Sequence, residues 1–470
     1  MEVKGNFISN RNSGSSEKIG CYPASGSHKV ILSGKEEQVI KYYGYWLEFN
    51  ELEIKNEAGV KFEDLMPVIK KIRGNYKVIG GLEFCKLPKI IGDVKIDGDL
   101  KIKSGEIDLA GYNLTVTGNL NQISENGSSI LNVNGGSLKV LGNYSITSGT
   151  EYGTEDISAV LQMTKEDDYV FVGGDFIIKG YAPKVEREKY FDKISRDLTA
   201  GILEVKGDFG CKGYYGSYVA AGTGSNKVIL SGTKEQVVYN DSGWLVLNKL
   251  EIKNENGVRF TFSTPINSMS GNYKILGEAS PIIGAISGDV TIDGNLTIID
   301  QELDLAGYNL TINGNLNQFS ADSTSEKIPC KLKVNGGKLR VNGDYTIGYN
   351  SANNQPDSTY VQGSILEMTN EKDSVYVGGN FTTYSTVDHS NYLTAGTLEV
   401  KGKFSQTSST GSPLNFAASG THKTILSGDS VQTIIFEAPT TSSFNILKIT
   451  KPLDTGYIFD TKQVWKTLEQ

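Results

Sequence analysis

Acidic residues beside glycine turns are the side chains of this sequence best suited to chemistry. They crowd two similar stretches, with Asp93, Asp97, Asp99 and Asp108 in the first and Asp289, Asp293 and Asp304 in the second. Paired carboxylates serve as acid and base in glycoside hydrolysis, and carboxylate oxygens bind Ca²⁺. Because the acids recur in both stretches, and Asn295 takes the place of Asp99, capping of turns by side-chain hydrogen bonds is favoured. We predict no catalytic residue and no metal site.

Histidine and cysteine chemistry has few residues to draw on. The chain has three histidines, and His28 aligns with Asn226 and His422 in the repeats, so this position accepts a side chain that is not a base. No CxxC pair is formed by the four cysteines, which are Cys21, Cys85, Cys211 and Cys330. We interpret the cysteines as small hydrophobic residues and expect no cofactor.

Tyrosine is abundant, with 24 residues, and falls in two clusters of low hydrophobicity, YYGYW at 42–46 and YYGSY at 214–218. Aromatic rings with a polar edge make adaptable contact surfaces and can stack on sugar rings. Trp46 aligns with Trp244 ahead of an apolar strand, and we assign both to the core. The ligand-binding residues predicted from these clusters are Tyr42, Tyr43, Tyr214 and Tyr215.

Internal repetition organises the whole chain. The string GDVKIDGDLKI from Gly92 returns as GDVTIDGNLTI from Gly288, which is 288 − 92 = 196 residues later. Three further strings, HKVILSGKEEQV, NKVILSGTKEQV and HKTILSGDSVQT, mark three copies of another element. Such a period is typical of repeat architectures. We predict a first copy over 1–200, a second over 201–395, and a partial third over 396–470 that continues the preceding coils.

A shorter motif recurs inside each copy: a strand, a glycine, then Asn or Asp, then an apolar residue that opens another strand. Its glycines in the first copy are Gly98, Gly118, Gly142, Gly174 and Gly207. Glycine reaches the left-handed backbone region that a sharp corner requires. Residues 309–313 and 331–335 alternate apolar and polar side chains, as strands with one buried face do. The pattern predicts an all-β fold, a right-handed parallel β-helix or β-solenoid with variable loops.

A tandem array of immunoglobulin-like sandwiches is the structural alternative, but its strand and linker pattern fits less well. The 54 glycines are explained as the corners of coils. The net charge of −8 argues against nucleic acid or an anionic membrane as the partner. No apolar run approaches the length needed to span a bilayer, so no membrane span is expected.

The strings GSHKVILSGKEEQV, LTAGTLEVKGKF and KITKPLDTGYIF resemble repeat segments of large secreted or wall-associated proteins of Gram-positive bacteria. Some of those proteins resemble RHS-type polymorphic toxins or carry fibronectin-like modules. The resemblance spans nearly the whole chain and implies an extracellular, scaffold-like role. It implies no reaction, because such segments have no agreed catalytic residues.

These observations predict a non-enzymatic structural scaffold, secreted or at the cell surface, that acts as a stalk, spacer or adhesive segment. No signal-peptide pattern follows Met1. A carbohydrate-binding β-solenoid module is the first alternative, and a polysaccharide lyase or hydrolase on a β-helix is the second. The expected partners are cell-wall or extracellular polysaccharide, or flanking domains of a larger protein.

Overall fold

A computed structural model describes most of the chain and divides it into two compact units, Met1–Lys249 and Leu250–Gln470. We call these unit 1 and unit 2. The described residues are 1–9, 26–42, 47–63, 67–76, 78–79, 82–84, 89–124, 127–148, 159–180, 198–212, 220–221, 224–241, 245–261, 264–271, 275–276, 282–321, 330–350, 363–408, 412–451, 456–460 and 464–469.

Short strands account for the regular structure of unit 1, and no helix occurs among its described residues. The strands of this unit are β1 (Glu2–Val3), β2 (Phe7–Ser9), β3 (Lys29–Leu32), β4 (Gln38–Tyr42), β5 (Glu48–Phe49), β6 (Glu51–Ile54), β7 (Val60–Glu63), β8 (Val68–Ile69), β9 (Lys71–Tyr76), β10 (Val78–Ile79), β11 (Leu82–Phe84), β12 (Lys89–Ile96), β13 (Leu100–Ile102), β14 (Gly105–Asp108), β15 (Asn113–Val116), β16 (Leu120–Ile123), β17 (Ser129–Asn132), β18 (Ser137–Val140), β19 (Tyr144–Ser148), β20 (Ala159–Gln162), β21 (Tyr169–Val172), β22 (Phe176–Gly180), β23 (Ile202–Val205), β24 (Phe209–Cys211), β25 (Ala220–Ala221), β26 (Lys227–Leu230) and β27 (Gln236–Asn240).

Unit 2 is built in the same way, and its described residues also contain no helix. The division between the units falls within β28 (Val246–Ile252). The remaining strands are β29 (Val258–Phe260), β30 (Pro265–Gly271), β31 (Ile275–Leu276), β32 (Ile282–Ile292), β33 (Leu296–Ile299), β34 (Glu302–Asp304), β35 (Asn309–Ile312), β36 (Leu316–Ala321), β37 (Lys331–Lys333), β38 (Lys338–Val341), β39 (Tyr345–Asn350), β40 (Ile365–Glu367), β41 (Ser374–Val377), β42 (Phe381–Thr383), β43 (Thr397–Val400), β44 (Phe404–Gln406), β45 (Lys423–Leu426), β46 (Gln432–Phe436), β47 (Phe444–Ile449), β48 (Tyr457–Phe459) and β49 (Trp465–Glu469).

Each unit consists of stacked coils in which every strand pairs in parallel with the equivalent strand of the next coil. In unit 1, face 1 contains β15, β18, β21, β23 and β26, and face 2 contains β16, β19, β22, β24 and β27. A short third face contains β14, β17 and β20. In unit 2 the corresponding strands are β35, β38, β41, β43 and β45 for face 1; β36, β39, β42, β44 and β46 for face 2; and β34, β37 and β40 for the third face. The predicted all-β parallel β-helix is confirmed.

Alternation along each strand places one set of side chains inside the coil. Leu138 and Val140 of β18 are fully buried, while Lys139 between them faces outward. The parallel register stacks like on like, so face 1 of unit 1 carries an interior ladder of Leu114, Leu138, Val170, Leu203 and Val228. Burial of such a side chain contributes about 1.5–3 kcal/mol, which makes these ladders the core of the fold.

The corner glycines are required by close approach of the preceding coil. A Cβ on Gly142 would lie 2.6 Å from Gly118 O, and one on Gly174 would lie 2.1 Å from Asn143 Oδ1. The φ angles of Gly118, Gly142 and Gly174 lie outside the left-handed region, so the expectation that these corners need that conformation is wrong. Left-handed backbone occurs instead in the turns that lead into face 1, as at Asn134.

Candidate functional site

The acidic residues singled out from the sequence bond to the next coil or to their own turn. Asp93 Oδ1 accepts from Asn113 N (2.9 Å), and Asp97 Oδ1 accepts from Thr117 Oγ1 (2.9 Å). Asp108 Oδ1 accepts from Ala110 N (2.8 Å). The acids of the second stretch have the same role, with acceptor bonds at Asp289, Asp293 and Asp304. The capping interpretation is confirmed at these positions.

A ladder of Asn and Asp side chains runs along the corner between face 1 and face 2 in unit 1. Asn119 N donates to Asp99 Oδ1, Asn143 N donates to Asn119 Oδ1, and Asp175 N donates to Asn143 Oδ1, at 2.6, 2.9 and 2.8 Å. Asp208 N continues the ladder by donating to Asp175 Oδ1 at 2.8 Å. In unit 2 the ladder comprises Asn295, Asn315, Asp344 and Asn380, and Lys403 N donates to the last of them. Each side chain therefore satisfies a backbone donor one coil away.

A buried glutamine braces the same corner in the repeated SGxxxQ element. Gln236 is 1% exposed, and its Oε1 accepts from Gly232 N at 2.8 Å. Its Nε2 donates to Val205 O (3.1 Å) and Gly207 O (2.5 Å) of the preceding coil. This three-bond brace is repeated at the two equivalent residues, Gln38 and Gln432.

A glutamate–serine bond joins the same pairs of coils on the outer surface. Ser231 Oγ donates to Glu204 Oε1 at 2.6 Å, and Ser427 Oγ donates to Glu399 Oε1 at 2.6 Å. The first copy has the equivalent bond, between Ser33 and Glu2. In all three copies this bond joins the glutamate of the string EVKG to the serine of the following string LSG, one coil later. The bond explains why the two strings recur together.

Face 1 presents an outward column of side chains whose order is the same in both units. We call it the outer column. Cross-strand register defines its members as Thr115, Lys139, Phe171, Glu204 and Ile229 in unit 1 and Thr311, Arg340, Tyr376, Glu399 and Ile425 in unit 2. Of these side chains, Ile229 is buried. Each column thus places an aromatic ring between a cation and a carboxylate.

The cations of the outer column lie over its rings. Lys139 Nζ is 5.6 Å from the centre of the Phe171 ring, and Arg340 Cζ is 4.1 Å from that of Tyr376. Such cation–π contacts contribute about 0.5–1 kcal/mol at exposed sites. Tyr169 OH donates to Glu204 Oε2 at 2.7 Å, and burial together with this carboxylate raises the pKa of Tyr169 to about 12. The raised pKa keeps the Tyr169 phenol protonated near neutral pH.

Both buried histidines of unit 2 lie beside residues 415–416. The ring nitrogens of His389 face the carbonyl oxygens of Asn415 and, at 3.2 Å, Ser364. His422 lies with its ring centre 6.1 Å from that of Phe416, and neither of its ring nitrogens has a hydrogen-bond partner among the described residues. Burial lowers the pKa of His389, and it lowers the pKa of His422 to about 4. Both are therefore neutral near pH 7.

Two of the four cysteines lie in the described part of the chain, and both are buried free thiols. Burial raises the pKa of Cys330 to about 11 and raises the pKa of Cys211 further. Because the thiolate is the nucleophile and the metal ligand, these thiols are inert at neutral pH. The interpretation of cysteines as small buried hydrophobic residues is confirmed for this pair. Cys21 and Cys85 lie outside the described residues.

The tyrosines predicted to bind a ligand are not tested by the structure. Tyr42 is the last residue of β4, but its side chain is outside the description. Tyr43, Tyr214 and Tyr215 lie outside the described residues altogether. Sequence reasoning also missed the outer column, whose signal was the return of a cation, an aromatic residue and a glutamate in both copies.

No protein-family model, curated protein or solved structure matches this chain. Within the described ranges, His, Cys, Asp and Glu side chains nowhere form a group of three or more that could hold a metal ion. Over the same ranges, no helix is suited to crossing a bilayer.

Proposed function

We propose that this chain is a non-enzymatic structural scaffold, a stalk, spacer or adhesive segment of a secreted or cell-surface protein. One observation carries the proposal: the side chains that are the same in every repeat copy are those that join one coil to the next. The glutamine brace occurs three times, at Gln38, Gln236 and Gln432. The resemblance to wall-associated Gram-positive repeats supports the extracellular location.

The mechanism of a scaffold is mechanical. Every coil boundary in a unit is held by parallel backbone ladders, and at SGxxxQ corners by a buried brace and an outer glutamate–serine bond as well. In solenoid proteins stability is close to a sum of nearest-neighbour contacts. A pulling force applied at the termini must therefore break these contacts coil by coil.

Single-molecule pulling of the full chain tests this mechanism. Corner bonds join residues 20 to 36 positions apart, so each released coil should lengthen the chain by about 70–130 Å at ~3.6 Å per residue. Replacing Gln236 and Gln432 by Met should lower the unfolding force of the coils that these two glutamines hold together. One cooperative rupture without such steps, or forces unchanged in the double variant, would contradict the proposal.

The alternative of a polysaccharide lyase or hydrolase makes a different prediction. It requires the purified chain to cleave a glycan, which appears as new reducing ends or as unsaturated products. The scaffold proposal expects no cleavage across a panel of neutral and acidic polysaccharides. Glycan cleavage that persists after repurification and is lost when a carboxylate is substituted would contradict the scaffold proposal and support the enzyme.

The alternative of a carbohydrate-binding module through Tyr42, Tyr43, Tyr214 and Tyr215 remains a prediction. It is supported by the clustering of these aromatic residues in segments of low hydrophobicity. The test compares wild type with Tyr214→Ala for retention on cell-wall polysaccharide. Equal retention of the two proteins would remove Tyr214 from the site.

A further inference from the structure

The strands β3, β26 and β45 each follow the same turn, which is centred on a left-handed glycine. The φ angle is 64° at Gly26, 69° at Gly224 and 60° at Gly420. In every copy the carbonyl oxygen of this glycine accepts a 2.7 Å bond from an asparagine Nδ2 in the following coil. The three donors are Asn50, Asn248 and Asn445. We call the third copy of the turn, residues 418–422, the histidine turn.

The residue two positions after the glycine differs between the copies. In the second copy it is Asn226, which is 1% exposed and donates from Nδ2 to Ala200 O at 2.9 Å. In the histidine turn it is His422, which is fully buried, and neither of its ring nitrogens has a hydrogen-bond partner among the described residues. The ring lies edge-to-face against Phe416, with the ring centres 6.1 Å apart. The histidine turn therefore buries an imidazole that no described polar group holds.

The other buried histidine of unit 2, His389, has a different environment. It is 1% exposed, and its Nδ1 and Nε2 face the carbonyl oxygens of Asn415 and Ser364. An imidazolium has an N–H on both nitrogens, so a protonated His389 could donate to both carbonyls without moving. A protonated His422 would have neither bond. Of the two buried histidines, only His422 therefore places a proton in conflict with the closed structure.

The described charged groups near the histidine turn do not compensate for a proton on His422. The elements packed against this turn carry the side chains Glu371, Asp373, Asp388, Glu399, Lys423, Lys448, Lys466 and Glu469. Glu371 accepts from Thr421 Oγ1 at 2.5 Å, and Glu469 Oε2 lies 2.8 Å from Lys423 Nζ. Burial alone lowers the pKa of His422 to about 4, so none of these groups stabilises the imidazolium.

The histidine turn bonds to the coils on both sides of it. Two of its backbone N–H groups donate to Leu393 O and Thr394 O of the preceding coil, both at 2.9 Å. In the coils that follow, Asn445 donates to the glycine carbonyl of the turn, and Lys466 Nζ donates to Ala418 O at 3.0 Å. Opening of this turn therefore releases contacts with both neighbours.

We propose that the histidine turn is a pH-sensitive switch that opens in acid. At neutral pH the closed turn holds a neutral His422. A proton from solvent binds His422 when the turn is open and the ring contacts water, because a charged imidazole in the closed turn would be buried without a partner. Acid therefore increases the open population and weakens the bonds between this coil and its neighbours. The switch is independent of the scaffold proposal, which is tested by pulling and by the absence of glycan cleavage.

Hydrogen exchange of the full chain, measured by mass spectrometry at pH 7.5 and 4.5 and corrected for intrinsic rates, tests the proposal. With a pKa of 6.5 in the open turn and about 4 in the closed turn, the open population should rise about 70-fold between these pH values. Amide protection over 419–423 should fall by the same factor. The equivalent turn at 224–227, which has Asn226 in place of the histidine, should keep its protection.

The variant His422→Asn introduces the residue of the second copy and should remove this loss of protection. His28→Asn makes the same substitution in the first copy of the turn, and the loss over 419–423 should then remain in full. If His422→Asn fails to fold, deuterium exchange at the ring carbon Cε1 of wild type still reports the pKa of His422, which should be well below 6.5. The proposal is overturned if wild type keeps its protection at pH 4.5, if His422→Asn loses it equally, or if His422 titrates near pH 6.5.

Discussion

The hydroxyl of Tyr144 donates a 2.6 Å hydrogen bond to Oε1 of Gln122 in the interior of unit 1. Gln122 Nε2 donates in turn to Ser129 O and Val160 O, so its amide links face 2 to the third face. Unit 2 repeats the pair, with Tyr345 and Gln318 at 2.7 Å. Burial raises the pKa of Tyr144, which keeps the phenol protonated as a donor.

Replacing Tyr144 with Phe should destabilise the fold by about 1–3 kcal/mol, because Gln122 Oε1 would remain buried without a donor. The ring itself fits, since the next coil already has Phe176 packed edge-to-face at 5.2 Å. Urea unfolding measures the loss. Tyr112→Phe removes an exposed hydroxyl and should change stability by less than about 0.5 kcal/mol. Equal effects of the two changes would show that the buried bond is not stabilising.

Replacing Gln432 with Met should cost about 2–4 kcal/mol. The change keeps the length of the side chain but leaves the groups that Gln432 bonds, Gly428 N, Val400 O and Gly402 O, without this partner. The adjacent Val431 is 59% exposed, so Val431→Ala should be close to neutral. The midpoints of urea denaturation compare the two variants. If only Val431→Ala lost stability, the stabilising role of the Gln432 brace would be contradicted.

Replacing Gly174 with Ala should destabilise unit 1 by about 1–3 kcal/mol, since the new Cβ would meet Asn143 Oδ1 at 2.1 Å. The matched control is Gly5→Ala, where no atom lies within 4 Å of the added Cβ. Thermal unfolding followed by circular dichroism should show a lower Tm for the first variant alone. A neutral Gly174→Ala would mean that the coils can separate at this corner without loss.

His422 should make the protein sensitive to mild acid. Burial lowers its folded pKa to about 4 from 6.5, so below pH 6.5 the unfolded chain takes up a proton that the folded chain does not. Stability should fall by about 1.4 kcal/mol per pH unit, reaching about 3 kcal/mol near pH 4. At higher pH both states are neutral and His422 has no effect.

The variant His422→Asn isolates this contribution. The equivalent residue of the preceding copy, Asn226, donates from Nδ2 to Ala200 O at 2.9 Å, so Asn is compatible with the position. Urea unfolding between pH 7.5 and 4.5 should give a flatter stability curve for the variant, with His389 contributing equally to both proteins. Parallel curves would contradict burial of a neutral His422.

The coil architecture follows from patterns that are visible in the sequence. Alternation in segments such as 331–335 specifies one buried face, and the return of Gly-Asn and Gly-Asp specifies where each coil turns. The acidic residues could also be assigned correctly, because Asp93 and Asp108 recur beside turns and recurrence favours capping. The role of the corner glycines could not be predicted, since the atom that excludes a Cβ on Gly142 belongs to the preceding coil.

The sequence by itself determined that this protein is a repeat of short parallel strands, because local alternation and turn residues act within a few positions. Only the tertiary structure decided which side chains meet across a coil. Gln236 reaches Val205, 31 residues earlier, and Glu204 reaches Ser231, 27 residues later. It also separated the buried Tyr144 from the exposed Tyr112, although each comes within two residues after a glycine. Coil length and register set these contacts, and neither is encoded by any one segment.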